Sequence, residues 1–112
     1  MSEAIPQAAI ERLVNDLELA EQRAEILRAL GNPVRLRLVA RLCFSQERTV
    51  GELCDELGLA QSTVSRQLGA LRLLGLVRCR QDGGFRYYSL ALPQVVSLIE
   101  CLAPCRPDLP HL

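Results

Sequence analysis

The sequence predicts a mainly α chain that carries one small β-hairpin. Apolar residues make up 49% of the 112 residues but aromatics only 4%, so a core must be assembled from Leu, Val, Ile and Ala, which suits packed helices better than sheets. Apolar residues also recur at intervals of three and four in successive segments, the period of a helix. One stretch alone, LVRCRQDGGFRYYSL (76–90), switches to alternation around a turn. By length the chain is one domain, 1–112, near the lower end of what a single core can hold together, and dimerisation would help.

The elements follow in order. Ile10, Leu13, Val14, Leu17, Ala20, Ala24, Leu27 and Leu30 mark one amphipathic helix through AIERLVNDLELAEQRAEILRAL, ended by Gly31-Asn32-Pro33. VRLRLVARLCF continues as a second helix, with Leu36, Val39, Ala40, Leu42 and Cys43 inward and Arg35, Arg37 and Arg41 mainly outward. Thr49 followed three residues later by Glu52 has the spacing of a capping box and starts a short helix that runs to Gly58. After the turn Gly58-Leu59-Ala60, a longer helix runs from about Gln61 to Leu74 and stops at Gly75. Val77 and Cys79 on one strand and Phe85 and Tyr87 on the other flank the turn QDGG, whose residues tolerate positive φ. Pro93, tolerated in a first turn, opens a closing helix, PQVVSLIECLAPC, and RPDLPHL is a tail punctuated by proline. The single domain therefore divides into an N-terminal helix (1–31), a helix-turn-helix (49–74), a hairpin (76–90), a C-terminal helix (93–105) and a tail (106–112).

Charge is distributed unevenly along this framework. The formal net charge is zero, yet residues 1–31 hold six acids against three Arg, while 61–90 hold Arg66, Arg72, Arg78, Arg80 and Arg86 against Asp82 alone. Every cation is Arg, since Lys is absent. A basic face of forked donors on a neutral chain points to a polyanion. In the helix from Gln61, Val64, Leu68 and Leu71 share the face that must pack on Val50, Leu53 and Leu57. Gln61, Ser62, Thr63, Ser65, Arg66, Gln67 and Gly69 are left to point elsewhere. Short hydroxyls, amides and an Arg are what a helix needs to enter a major groove and touch base edges and phosphates. Gln61, Ser62, Thr63, Ser65, Arg66 and Gln67 are therefore the candidate DNA contacts, with Arg80 and Arg86 on the hairpin reaching phosphate.

Other classes are disfavoured. No apolar run is long enough to span a membrane, and the acidic N-terminus lacks a secretory layout, so a cytoplasmic location is expected. Five cysteines, an odd number, read in a reducing compartment as free thiols, ligands or redox groups. A thiol enzyme is disfavoured because there is no C-x-x-C, no internal His to pair with a Cys and no Gly-rich phosphate loop.

LGNPVRLRLVARL, TVGELCDELGLAQSTVSRQLGALRLLGLV and RQDGGFRYYSL together resemble the ArsR/SmtB family of winged helix-turn-helix repressors, over roughly residues 20–92. The resemblance implies a homodimer packed through the first and last helices, a major-groove helix beginning at Gln61, and a hairpin wing along the backbone or minor groove. It also implies a repressor released by a metal ion, a metalloid or another thiol-reactive signal, with no obligatory cofactor. The two apolar stripes, on the first helix and along Val95, Val96, Leu98, Ile99 and Leu102, agree with the dimer, because a domain of this size cannot cover both alone.

The signal is narrowed by what the family's sites contain. Many arsenic and antimony sensors of the family carry ELCxCxL before the recognition helix, but here ELCDEL keeps Cys54 and puts Glu56 at the second thiol position. The zinc, nickel and cobalt members place Asp and His pairs on the last helix, which here has no His; the sole His111 is next to the C-terminus. Cys101 and Cys105 are four apart on that helix, with Pro104 ending it between them, and soft thiolates suit a thiophilic ion. The expected inducer is trivalent arsenic or antimony, or a methylated arsenical, held by Cys101 and Cys105 with Cys79 as a third ligand. Cys43 and Cys54, beside Leu42 and Leu53, are expected to pack inertly. Two alternatives stand: a redox- or persulfide-sensing repressor linking Cys43 to Cys101 or Cys105, and a non-regulatory winged-helix DNA-binding or adaptor protein. Persulfide-sensing relatives carry their second-helix thiol at the position of Ala40 here, about one turn before Cys43.

Overall fold

A computed structural model describes residues 6–105. Its elements are α1 (Gln7–Asn15), α2 (Leu17–Leu30), α3 (Pro33–Cys43), β1 (Arg48–Thr49), α4 (Val50–Leu57), α5 (Gln61–Leu73), β2 (Val77–Asp82), β3 (Phe85–Leu90) and α6 (Gln94–Leu102). The tail 106–112, with His111, lies outside the described residues.

The single N-terminal helix expected from periodicity is two. Asp16 has an extended backbone, φ −119° and ψ 101°, and its carboxylate accepts a hydrogen bond from the Leu19 N–H at 3.1 Å. Asp competes for the helical backbone and caps a new helix instead. The Asn15 side chain meanwhile donates back to the Glu11 carbonyl at 2.9 Å. At the next junction, Asn32 accepts from the N–H groups of Val34 (2.9 Å) and Arg35 (3.1 Å), with Pro33 in the first turn, so the residues that end α2 also start α3.

The capping box at α4 is complete. Glu52 N–H donates to Thr49 Oγ1 at 3.1 Å and Thr49 N–H donates to Glu52 Oε1 at 2.9 Å. Gly58 closes α4 at φ +66°, a left-handed geometry that glycine adopts without strain. The hairpin is present, and β2 pairs with β3 from Val77↔Leu90 to Asp82↔Phe85. Its turn residues Gly83 and Gly84 both have positive φ, 58° and 83°, as a tight hairpin turn requires. A strand not expected from the sequence, β1, adds to it through Arg48↔Tyr88 and Thr49↔Tyr87, which makes a three-stranded antiparallel sheet in the order β1-β3-β2.

The core lies where α3, α4 and α5 meet the sheet. Leu38, Leu53, Val64, Leu68, Leu71 and Leu76 are completely buried there. On α3, Val39 and Leu42 are buried as expected, but Leu36, Ala40 and Cys43 are half-buried and Leu38 is as fully buried as Val39. From α6 only Val95 and Ile99 reach the core, and α1 buries nothing. Ile10, Leu13, Val14, Leu17 and Leu27 all remain exposed. No helix among the described residues is long and apolar enough to cross a membrane.

Candidate nucleic-acid interface

Burial of Val64, Leu68 and Leu71 fixes the rotation of α5. The opposite face, with Gln61, Ser62, Ser65, Arg66 and Gly69, is exposed. Thr63 and Gln67 lie half-buried on its flank. Gln67 also accepts a hydrogen bond from Arg35 Nε through its Oε1, at 3.0 Å. That bond braces α5 against α3 and leaves the amide NH2 and the second lone pair of the oxygen for other partners.

Beside α5 runs an open groove of about 560 Å³. Gln61, Ser65 and Arg72 line its helix side and Phe85 and Arg86 its wing side. Ser65, Gly69 and Arg72 succeed one another at four and three residues, which puts them in one row along the helix. Arg72 belongs to the basic stretch 61–90 but not to the candidate contacts, whereas Arg86 belongs to both. The signal for Arg72 was available in its seven-residue spacing from Ser65.

The arginines divide into two groups. Arg80 does not point free into solvent: its Nε and Nη2 each donate to Glu47 at 2.8 Å, its Nη1 donates to Asp82 at 3.0 Å, and its guanidinium lies 4.7 Å from the centre of the Tyr87 ring. These bonds hold the Glu47 carboxyl below its usual range and raise the Arg80 guanidinium further. The expected phosphate contact from Arg80 therefore meets a competing carboxylate pair. Arg41 and Arg48 both bind Glu56, at 2.9 and 3.1 Å. Partial desolvation pushes the Glu56 carboxyl up, but the bonds and charges of these two guanidinium groups outweigh it and hold the carboxyl low. Arg66, Arg72 and Arg86, by contrast, are exposed and form no ion pair among the described residues.

A capped helix, a tight turn, a second helix with a small polar exposed face, and a sheet wing beside it form a DNA-reading unit, and comparison with known proteins agrees. Residues 32–78 match the bacterial regulatory protein arsR family. The uncharacterized HTH-type transcriptional regulator Rv0081 of Mycobacterium tuberculosis is 39% identical over 82 residues, which cover 72% of this chain and 71% of that one. The chain belongs to the arsR family. Its members are DNA-binding transcriptional regulators, not enzymes. Among solved structures, the transcriptional repressor BigR from Xylella fastidiosa superposes with a TM-score of 0.72 at 33% identity, covering 91% of this chain and 99% of BigR. Reduced HlyU from Vibrio cholerae does so with a TM-score of 0.71 at 33% identity, covering 80% and 95%.

The thiols of this arsR-family chain are scattered. Cys101 and Cys105 are exposed at the end of α6, and the Cys105 thiol donates to the Cys101 carbonyl at 3.3 Å, which ties Cys105 back to the helix that stops at Leu102. Cys79 is half-buried on β2, opposite the buried Tyr88 in the sheet register. Burial, followed by the hydrogen bond with Cys79, pushes the Tyr88 hydroxyl up. Among the described residues no three His, Cys, Asp or Glu side chains group as a metal site needs. The expected set of Cys101, Cys105 and Cys79 is therefore not assembled within one subunit, because the sheet register turns Cys79 toward the core. Cys54 and Cys43 pack against the core as expected. Burial, then the nearby Glu100 carboxylate, raises the Cys43 thiol above its ordinary range. Glu56, at the position of the family's second arsenic-binding thiol, is engaged by Arg41 and Arg48.

Proposed function

We propose that the protein is a homodimeric repressor that reads a palindromic operator through α5 and lets go when a soft trivalent metalloid binds Cys101 and Cys105. The observation that carries the DNA reading is the exposed face of α5, where Ser62, Ser65 and Arg66 stand clear while Val64, Leu68 and Leu71 hold the helix in the core. Arg66 has the reach and fork for a bidentate base contact, with Gln61 and Ser62 at the helix tip. The apolar residues of α1, α2 and α6 support the dimer, since Ile10, Leu13, Leu17, Leu98 and Leu102 stay exposed among the described residues.

Two exposed thiols four residues apart support the metalloid reading, since thiolates favour soft ions. A monomethylated trivalent arsenical has two exchangeable positions and matches a pair; arsenite or antimonite needs a third donor from beyond this subunit's described residues. A second reading is a thiol-redox switch. A solved relative, HlyU, is described in its reduced form, and Cys43 lies near Glu100, the residue preceding Cys101. The raised Cys43 thiol works against it, because the thiolate is the reactive form.

One titration separates the two. The reduced protein, bound to a duplex it selects, is challenged anaerobically with methylarsenite, arsenite and a persulfide donor while release is followed. Release by an arsenical in the parent, lost with Cys101→Ser plus Cys105→Ser and kept with Cys43→Ser, is the expected result. Release by persulfide alone, abolished by Cys43→Ser, would replace the metalloid by the redox switch.

A further inference from the structure

We propose that Arg37 is a positioning residue of the reading unit, through which the end of α6 acts on the turn that leads into α5. The link rests on the reading of Cys101 and Cys105 as the switch and names the side chain that carries their signal. Arg37 stands on α3, and its Nη2 donates to the Leu57 carbonyl at 2.8 Å. Leu57 is the last residue of α4, and Gly58 follows it in the left-handed geometry that turns the chain toward Gln61.

Three observations single out this side chain. The last carbonyls of a helix have no partner within it, and among the described residues no backbone N–H from beyond α4 reaches that of Leu57. Arg37 supplies the missing donor, and its positive charge suits a helix C-terminus. Second, the same arginine lines a recess of about 310 Å³ between α3 and α6, with Leu36 and Ala40 on its own helix and Ile99, Leu102 and Ala103 opposite. Cys101 and Cys105 bracket Leu102 and Ala103 in the chain, so a group fastened to either thiol changes how the end of α6 closes that recess. Among these lining side chains only Arg37 can donate a hydrogen bond. Third, no carboxylate holds Arg37 among the described residues, so nothing competes with the Leu57 carbonyl for its head. An arginine lays its aliphatic stem on apolar surface; when the apolar wall shifts, the stem follows and the guanidinium leaves Leu57. The turn then loses its tie to α3, and Gln61 and Ser62 at the tip of α5 lose their anchor. Arg35, two residues earlier, ties α3 to α5 through Gln67 but does not line the recess, which makes it the control.

The test compares affinity for a duplex selected with the parent protein before and after N-ethylmaleimide modification of Cys101 and Cys105, with the modified sites established by peptide mass spectrometry. Modification is expected to weaken binding by the parent about 5–150-fold, the usual range for coupled sites. Arg37→Met, which keeps an apolar stem and loses the donor, is expected to bind equally with and without modification. Arg37→Lys returns a donor and is expected to return the weakening, and Arg35→Met is expected to keep it. Hydrogen exchange at the Leu59 N–H, which donates to the Cys54 carbonyl at 3.1 Å, reads the turn without DNA. Modification is expected to speed that exchange in the parent, and Arg37→Met to speed it without modification. No weakening in the parent, equal weakening in the parent and Arg37→Met, or a Leu59 exchange that both changes leave alone would overturn the link. Methylarsenite separates it from the metalloid reading: if methylarsenite leaves the parent on DNA while N-ethylmaleimide releases it, the metalloid fails as the signal and the Arg37 link stands.

Discussion

The half of the molecule built from α3, α4, α5 and the sheet is finished within one chain, and the half built from α1, α2 and α6 is not. In the first, seven side chains from Leu38 to Leu76 are completely buried, and α3 and α4 begin on capping side chains. In the second, α1 buries nothing, Leu17 and Leu27 on α2 are exposed, and α6 shows Leu98 and Leu102. The difference teaches that the DNA-reading surface is packed by its own chain, whereas the exposed apolar half is where the proposed second copy would sit. A thiol pair at the end of α6 therefore stands where it can influence how two reading units are spaced, because a ligand acts only through differential affinity for two arrangements.

The contrast can be broken by paired substitutions. Leu68→Ala, in the finished half, is expected to cost about 2–5 kcal/mol in denaturant unfolding, the usual cost of a buried Leu and the cavity it leaves. Leu17→Arg, in the unfinished half, is expected to leave the fold of the reading unit intact by circular dichroism and convert the dimer to a monomer in sedimentation. A normal dimer with Leu17→Arg would mean that α2 is not the interface. Thr49→Ala removes one arm of the capping box and should cost about 1 kcal/mol; no loss would show that β1 alone holds the start of α4.

Smaller effects sharpen the polar side of the same comparison. The folded-state pKa values of Glu47 and Glu56 are depressed by their arginines. Their contribution is thus present above the unfolded carboxylate pKa and lost as pH falls through the folded one. Glu56→Gln should flatten the acid limb of thermal stability against pH and leave neutral-pH stability little changed, as exposed pairs contribute little. Smallest in energy is a rate difference among thiols: Cys101 and Cys105 are expected to alkylate first and Cys43 last, read by mass spectrometry, since burial and Glu100 keep Cys43 protonated.

Much of the reading unit was legible because its signals are local. Val64, Leu68 and Leu71 mark the buried face of α5 by spacing alone, and Thr49 with Glu52 marks the start of α4. The break at Asp16 was hidden because apolar residues keep helical spacing on both sides of it, so only the capping preference of Asp signals it. A two-residue strand such as β1 is too short for any period to register. Partners distant in sequence were not legible at all: Glu47 is 33 residues from Arg80, and Arg35 is 32 from Gln67. Charge counting therefore treated Arg80 and Arg86 as equals, though only Arg80 has carboxylates at hand. The setting of Cys79 was not legible for a related reason, since a thiol's availability depends on which sheet face the register gives it.

The central claim is that two copies of α5 read DNA as a symmetric pair. Selection of duplexes from a random library by the reduced protein tests it most directly. The account predicts an imperfect inverted repeat with half-sites about one helical turn apart, roughly 10 base pairs centre to centre, and loss of the selected motif with Arg66→Ala. Recovery of no shared motif, or of a motif that Arg66→Ala recovers equally well, would contradict it.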